Sequence, residues 1–136
     1  MQLNSYLSFN GNCEQAFRFY NQVLGGEIVA MLPYAGSPIE NYAPADGRDK
    51  IMHAAMRIGG QSLMGADGTS DCFKKPQGFS VSIQLEDPAE ADRIFQALSE
   101  GGSIAMPLQE TFWALRFGML TDQFGVPWMV NCGKPM

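Results

Sequence analysis

Apolar and polar positions follow two periods along this chain, and the periods switch in the same order twice. Tyr6-Leu7-Ser8-Phe9 alternates like a half-buried strand, with Leu7 and Phe9 on one side. Gly11-Asn12 stops the alternation, and Asn12 with Gln15 three residues on has the form of an N-cap and capping box. Cys13, Ala16, Phe17, Tyr20, Val23 and Leu24 then recur at helical spacing and predict one apolar stripe. Gly25-Gly26 ends that helix, because glycine takes the left-handed backbone at low cost. Glu27 to Leu32 reads as a second strand, and Ile51 to Ile58 with Gln61 to Gly65 as a hairpin about Gly59-Gly60.

The second half repeats the order. Val81-Ser82-Ile83-Gln84-Leu85 alternates, and Asp87-Pro88-Ala89-Glu90 is a capping box with proline at the first helical position. Ala91, Ile94, Phe95 and Leu98 form the stripe, Gly101-Gly102 stops it, and Ser103 to Leu108 is a strand. Trp113 to Leu120 and Val126 to Asn131 pair across Thr121 to Gly125, where Asp122-Gln123-Phe124-Gly125 has ordinary turn chemistry. Leu7 and Phe9 correspond to Ile83 and Leu85, while Ala16, Tyr20 and Val23 correspond to Ala91, Phe95 and Leu98. Gly60 and Met64 likewise match Gly125 and Met129. Such an internal repeat predicts an α+β fold of two βαβββ modules in one domain spanning 1–136, module one about 1–66 and module two about 78–136. Two stretches fall outside the repeat. Pro33 to Asp49 is too long for a simple connection, and its Tyr34 and Tyr42 are placed to close over a ligand or to pack on a partner chain. Ala66 to Gly78 links the modules.

Composition narrows the function classes. The chain has 136 residues, 46% hydrophobic and 17% charged, enough apolar content for a buried core. A formal net charge of -5 opposes binding to nucleic acid or to an anionic membrane surface. The first residues carry no basic stretch followed by an apolar run, and no segment is long and apolar enough to span a bilayer, so a cytoplasmic protein is expected. Cys13, Cys72 and Cys132 lack metal spacing and read as reduced thiols, Cys13 in the core and Cys72 in a loop.

Three segments carry a more specific likeness: Tyr6-Leu7-Ser8-Phe9-Asn10-Gly11-Asn12-Cys13, then Met106-Pro107-Leu108-Gln109-Glu110-Thr111-Phe112-Trp113-Ala114, then Phe117 through Asn131. Together with the duplicated module they resemble the PhnB-like branch of the glyoxalase/bleomycin-resistance/dioxygenase (vicinal-oxygen-chelate) superfamily. The resemblance implies a curved mixed sheet around a cup, a homodimer and a cytoplasmic location. It does not imply one activity, because this fold hosts isomerases, dioxygenases, transferases and drug-binding proteins. Relatives in the branch are often labelled demethylubiquinone methyltransferases, yet the chain has no glycine-rich strand-to-helix turn of the kind a nucleotide-like cofactor needs.

Metal-dependent members of the superfamily place His or Glu at four cup-facing positions, on the first and last strand of each module. Leu7 and Phe9 must face the helix, so alternation turns Asn4, Tyr6 and Ser8 to the cup, and likewise Ser80, Ser82 and Gln84. The four positions become Asn4, Met64, Ser80 and Met129, a poor nest for a divalent cation, so no metal and no cofactor are expected. His53 falls on the polar or cup side of its strand, as does Arg57. His53 suits a general base or ligand donor, the plainer alternative being a half-exposed strand histidine bonded to a neighbour. Glu110 adjoins Phe112 and Trp113, and a carboxylate shielded by aromatics serves as an acid or base; the alternative is a solvated Glu110 with Trp113 in the core. Arg57 and Arg116 are candidates for an anionic group, with exposed strand arginine as the alternative.

The expected function is therefore a metal-independent small-molecule-binding protein. Met64, Met129, Phe112 and Trp113 would supply apolar walls, and Tyr6, Ser8, Ser80, Ser82 and His53 would orient the ligand, with Asn131 a further hydrogen-bonding candidate. The alternative is a metal-free lyase, isomerase or transferase with Glu110 or His53 as acid/base.

Overall fold

The computed structural model describes all residues except 44–46, 48, 69–72 and 135–136, and the side chain of Tyr42. Element order is β1 (Ser5–Phe9), α1 (Cys13–Leu24), β2 (Glu27–Pro33), a 3-10 turn (Glu40–Tyr42), β3 (Ile51–Ile58) and β4 (Gln61–Asp67), then β5 (Val81–Leu85), α2 (Pro88–Ser99), β6 (Ser103–Gln109), β7 (Ala114–Thr121) and β8 (Pro127–Gly133). The chain divides into two compact units, Met1–Lys75 and Pro76–Met136. Each unit is βαβββ with a four-stranded sheet, ordered β1-β4-β3-β2 in the first and β5-β8-β7-β6 in the second. The first strand of each unit runs parallel to the last, and the remaining pairs are antiparallel. This is the α+β architecture that the repeat predicts.

The duplication extends to register. Tyr6 lies opposite Met64, which lies opposite Ala55; Ser82 lies opposite Met129, which lies opposite Met119. Both glycine pairs do the same two jobs. Gly25 and Gly101 take φ of 72° and 76°, where a Cβ would be strained. Gly26 and Gly102 press on a strand backbone, where an added Cβ would come 2.7 Å from the Arg57 carbonyl oxygen and 2.1 Å from that of Thr121.

In the first unit Leu7 and Phe9 turn inward and meet Phe17 and Tyr20 of α1, all four buried, with Phe9 and Phe17 edge-to-face at 6.0 Å. In the second, Ala91, Ile94, Phe95 and Leu98 of α2 are buried together with Leu120, Trp128 and Val130. Burying this apolar surface is what holds each helix on its sheet.

The start of α1 departs from the local signal. Asn12 makes no side-chain cap bond. The buried carboxylate of Asp67 acts instead: Oδ1 accepts from the Gly11 and Cys13 N–H groups at 2.9 and 3.0 Å, and Oδ2 from the Ile51 N–H at 2.8 Å. A charged acceptor makes shorter and stronger bonds than a neutral amide, so the tertiary contact displaces the capping box. In α2 half of the predicted box forms. Asp87 Oδ1 accepts from the Ala89 N–H at 3.0 Å, while Glu90 turns to Arg93.

Tyr34 also differs from expectation. It is buried in the first unit, and its hydroxyl donates to the Asp67 carbonyl at 2.9 Å, so it serves that core rather than a ligand or a partner. The Tyr42 side chain and Cys72 lie outside the described residues. Cys13 and Cys132 are buried and reduced. Burial, then the carboxylates of Asp67 and Glu14, push the Cys13 thiol far above its ordinary range. Asp122-Gln123-Phe124-Gly125 is a turn: Asp122 Oδ1 accepts from the Phe124 and Val126 N–H groups at 2.8 and 3.0 Å, and Oδ2 from the Trp128 indole at 2.8 Å. No helix among the described residues is long and apolar enough to cross a membrane.

Candidate functional site

Tyr6, Ser8, His53 and Met64 in the first unit, and Ser82 and Met129 in the second, lie on the sheet face turned away from the helix of their own unit. In the first, alternation buries Leu7 and Phe9 and leaves Tyr6 and Ser8 exposed. The Tyr6 hydroxyl lies 3.1 Å from His53 Nδ1, and the two rings stack at 5.8 Å and 27°. Partial burial, then Cys13, raises the Tyr6 hydroxyl above its ordinary pKa, so it stays protonated at neutral pH. The contact occupies Nδ1, with donor and acceptor set by the imidazole tautomer. Met64 stands in register with Tyr6, and His53 with Leu32 of β2.

In the second unit Ser82 and Gln84 of β5, Met129 and Asn131 of β8, and Phe117 and Met119 of β7 share the open face. Asn131 Nδ2 donates to Gln84 Oε1 at 2.7 Å, and Gln84 Nε2 donates to Ser82 Oγ at 3.1 Å. Ser80 sits half-buried just ahead of β5. Phe112 and Trp113 precede β7 in a turn where the Ala114 N–H donates to Thr111 Oγ1 at 3.1 Å. Neither fills the core: Phe112 is 88% and Trp113 46% exposed. Phe112 packs edge-on against Trp113 at 4.7 Å, and Trp113 against Phe117 at 5.4 Å, making a short aromatic row.

Glu110 is not enclosed by this row. Its side chain is 64% exposed and pairs with Lys134 at 3.3 Å. Arg116 shares parity with buried Gly118 and Leu120 and so faces α2, where Nε donates to Asp92 Oδ1 at 3.3 Å. That orientation takes it off the open face. Arg57 remains exposed. A cavity of about 360 Å³ opens at the head of α1, beside Asn12, Gln15, Arg18, Asp49 and Lys50, and none of the candidate catalytic or ligand-binding residues lines it.

The donor set can be tested against the divalent ion of the wider superfamily. In register, the partner of Met64 is Tyr6 and that of Met129 is Ser82, while Asn4 and Ser80 lie ahead of the strands. Neither the thioether and phenol of the first unit nor the thioether and hydroxyl of the second fits a hard or borderline divalent cation. Among the described residues no group of three or more His, Cys, Asp or Glu is close enough to hold an ion.

Residues 1–131 match the family described as 3-demethylubiquinone-9 3-methyltransferase. The chain belongs to this family. It is 36% identical to protein YjdN of Escherichia coli over 142 residues, covering 98% of this chain and 97% of that protein. Among solved structures it resembles protein PA1353 from Pseudomonas aeruginosa at 50% identity and a TM-score of 0.91, over 99% of both chains. The PhnB protein from Bacillus cereus matches at 27% identity and a TM-score of 0.82, over 98% of this chain and 100% of that one. The fosfomycin resistance protein FosX of Listeria monocytogenes shares the fold, at 12% identity and a TM-score of 0.67 over 98% of this chain and 93% of that one. The family thus includes PhnB-like proteins, and the likeness to FosX extends to the fold alone.

Sequence reasoning did not single out Phe117 or Met119. Alternation along β7, which sets both on the face opposite buried Gly118 and Leu120, was the available signal. Asp67 gave no local signal, because its donors lie far away along the chain.

Proposed function

We propose that this PhnB-like protein binds a small, largely apolar molecule without a metal, on the open sheet faces, and works as a cytoplasmic homodimer. The observation that carries the reading is the register pairing of Met64 with Tyr6 and Met129 with Ser82. In each unit a strand methionine, an adaptable thioether, stands beside one hydrogen-bonding group on the neighbouring strand. Apolar walls with few polar groups are how small-ligand sites are built. Phe112 and Trp113, largely exposed despite their size, extend the apolar surface in the second unit. Tyr6, Ser8, His53, Ser80 and Ser82 are the groups that would orient the ligand.

FosX is seen with manganese(II) and a dihydroxypropylphosphonic acid. The donor set here gives that chemistry no comparable support. Methyl transfer, which the family description names, calls for a cradle for a nucleotide-like cofactor. The turn into α1 is Asn10-Gly11-Asn12, and the Gly11 and Cys13 N–H groups are already taken by Asp67. The turn into α2, Glu86-Asp87-Pro88, has no glycine. Neither turn fits the cofactor.

Native mass spectrometry with elemental analysis, followed by thermal melts with magnesium, manganese, nickel and zinc, tests the proposal. The expected result is a metal-free dimer whose midpoint moves by less than about 2 °C with each ion, as mass action requires of ions that do not bind the native state. A stoichiometric metal, or a large stabilisation by one ion, overturns it. The Tyr6–His53 contact favours a second reading, a metal-free lyase, isomerase or transferase with His53 as the acid or base. Glu110, paired with Lys134 in solvent, is the weaker candidate for that role.

A further inference from the structure

We infer that Asn131 is the specificity-determining acceptor of the second unit, selecting ligands that pair an aromatic or apolar body with an O–H or N–H donor. This rests on the binding reading above and names the ligand chemistry of that face.

Asn131 Oδ1 is shielded from solvent and has no hydrogen-bond partner among the described residues. A shielded acceptor without a donor is destabilising, and native structures keep few of them. Its own Nδ2 is committed to Gln84 Oε1 at 2.7 Å, and Gln84 Nε2 to Ser82 Oγ at 3.1 Å. As these bonds run, Nδ2 points along the relay and Oδ1 away from it. Rotating the Asn131 amide alone would set its oxygen against the Gln84 oxygen. Gln84 is thus the positioning residue for Asn131.

The surroundings define the rest of the ligand. Phe117 is in register with Asn131 and continues into Trp113 at 5.4 Å and Phe112 at 4.7 Å. Met129 and Met119, in register with one another, form the next row on the same face. Unbranched thioethers repack readily, so this row adapts to the body of a ligand. A planar molecule stacked on the aromatic row presents a ring substituent to the amide. If it carries a donor, it fills the vacancy; if it can only accept, it leaves Oδ1 unpaired. Sites built to meet a donor reject analogues that lack it far more strongly than apolar walls reject a change of shape.

The test is a pair of matched probes, 2-naphthol and 2-methoxynaphthalene, titrated against the full chain and followed by nuclear magnetic resonance at the Trp113 indole and Asn131 side-chain amide signals. In the wild type 2-naphthol binds about tenfold more tightly, the value of one net hydrogen bond. Asn131→Leu removes the acceptor, and the affinity ratio falls to about one while both probes still bind. Should that variant fail to fold, the Gln84→Met variant changes an exposed residue and releases the amide, and the ratio again falls. A purely structural effect would weaken both probes alike and leave the ratio unchanged. Equal binding in the wild type, a preference for the methoxy probe, or a ratio that survives Asn131→Leu overturns the inference but leaves the binding reading standing. Binding of neither probe overturns the inference and the binding reading together.

Discussion

Replacing Asp67 with alanine removes the acceptor of three backbone N–H groups at once, those of Gly11, Cys13 and Ile51 at 2.9, 3.0 and 2.8 Å. The residue is 1% exposed, so water cannot easily take over. A hydrogen bond to a charged group contributes about 1.5–3 kcal/mol net, but the full sum overstates the loss, because the variant also no longer desolvates a carboxylate. Each buried N–H left unpaired costs about 1–3 kcal/mol, and with the carboxylate's desolvation relieved about 3–5 kcal/mol in all is expected for Asp67→Ala. Asp67→Asn keeps the shape and one oxygen. With that oxygen toward Gly11 and Cys13, its NH₂ group opposes the Ile51 N–H, donor against donor, and about 1–3 kcal/mol is lost. For a chain of this size the alanine variant should melt roughly 6–20 °C lower. Urea unfolding followed by far-ultraviolet circular dichroism gives the free energies, with the slope checked for constancy. Both tryptophans, Trp113 and Trp128, lie in the second unit, whereas Asp67 lies in the first. Tryptophan fluorescence therefore shows whether the lesion reaches the other unit or stays local. A loss below about 1 kcal/mol for Asp67→Ala, or a costlier asparagine variant, would refute this account of how α1 begins.

Gly102→Ala sets a Cβ 2.1 Å from the Thr121 carbonyl oxygen, while Gly133→Ala meets nothing within 4 Å. Denaturant melts should show about 2–4 kcal/mol lost in the first and less than about 0.5 kcal/mol in the second, and similar losses would contradict the close approach. Cys13 gives a pH test. Its folded thiol ionises far above the ordinary 9.0, so above that pH the unfolded chain releases a proton that the folded chain keeps. Stability is then fully present below pH 9 and declines as pH rises, by up to about 1.4 kcal/mol per pH unit. Cys13→Ala should flatten this decline between about pH 9 and 10.5 whatever it does at pH 7, and an unchanged slope in paired urea melts would count against the buried thiol.

Local periodicity determined most of the fold. Val81–Leu85 and Ile51–Ile58 alternate and are strands over those bounds, and the stripe from Cys13 to Leu24 is the helix. Such patterns are legible because residues two apart on a strand, or three and four apart on a helix, must share one face whatever the rest of the chain does. The same rule set Tyr6, Ser8, Met64, Ser82 and Met129 on the helix-free face. It also held the orientation of Arg116, since parity with Gly118 and Leu120 turns that residue toward α2. The first correction arose where a local motif met a stronger distant group: Asn12 and Gln15 spell a capping box, yet Asp67 at the end of β4 takes the N–H groups of Gly11 and Cys13.

Tertiary structure alone decided the contacts that give each open face its chemistry. Tyr6 meets His53 across 47 positions of chain, and Gln84 meets Asn131 across the same separation. Periodicity gives the face on which a side chain lies but not which distant strand lies beside it, because strand order and register come from closing the whole sheet. The burial of Tyr34, the aromatic row of Phe112, Trp113 and Phe117, and the exposure of Glu110 follow from that closure. The sequence by itself thus specified two βαβββ units and the residues on their open faces, while only the folded sheets decided which of those residues touch and which acceptor was left without a donor.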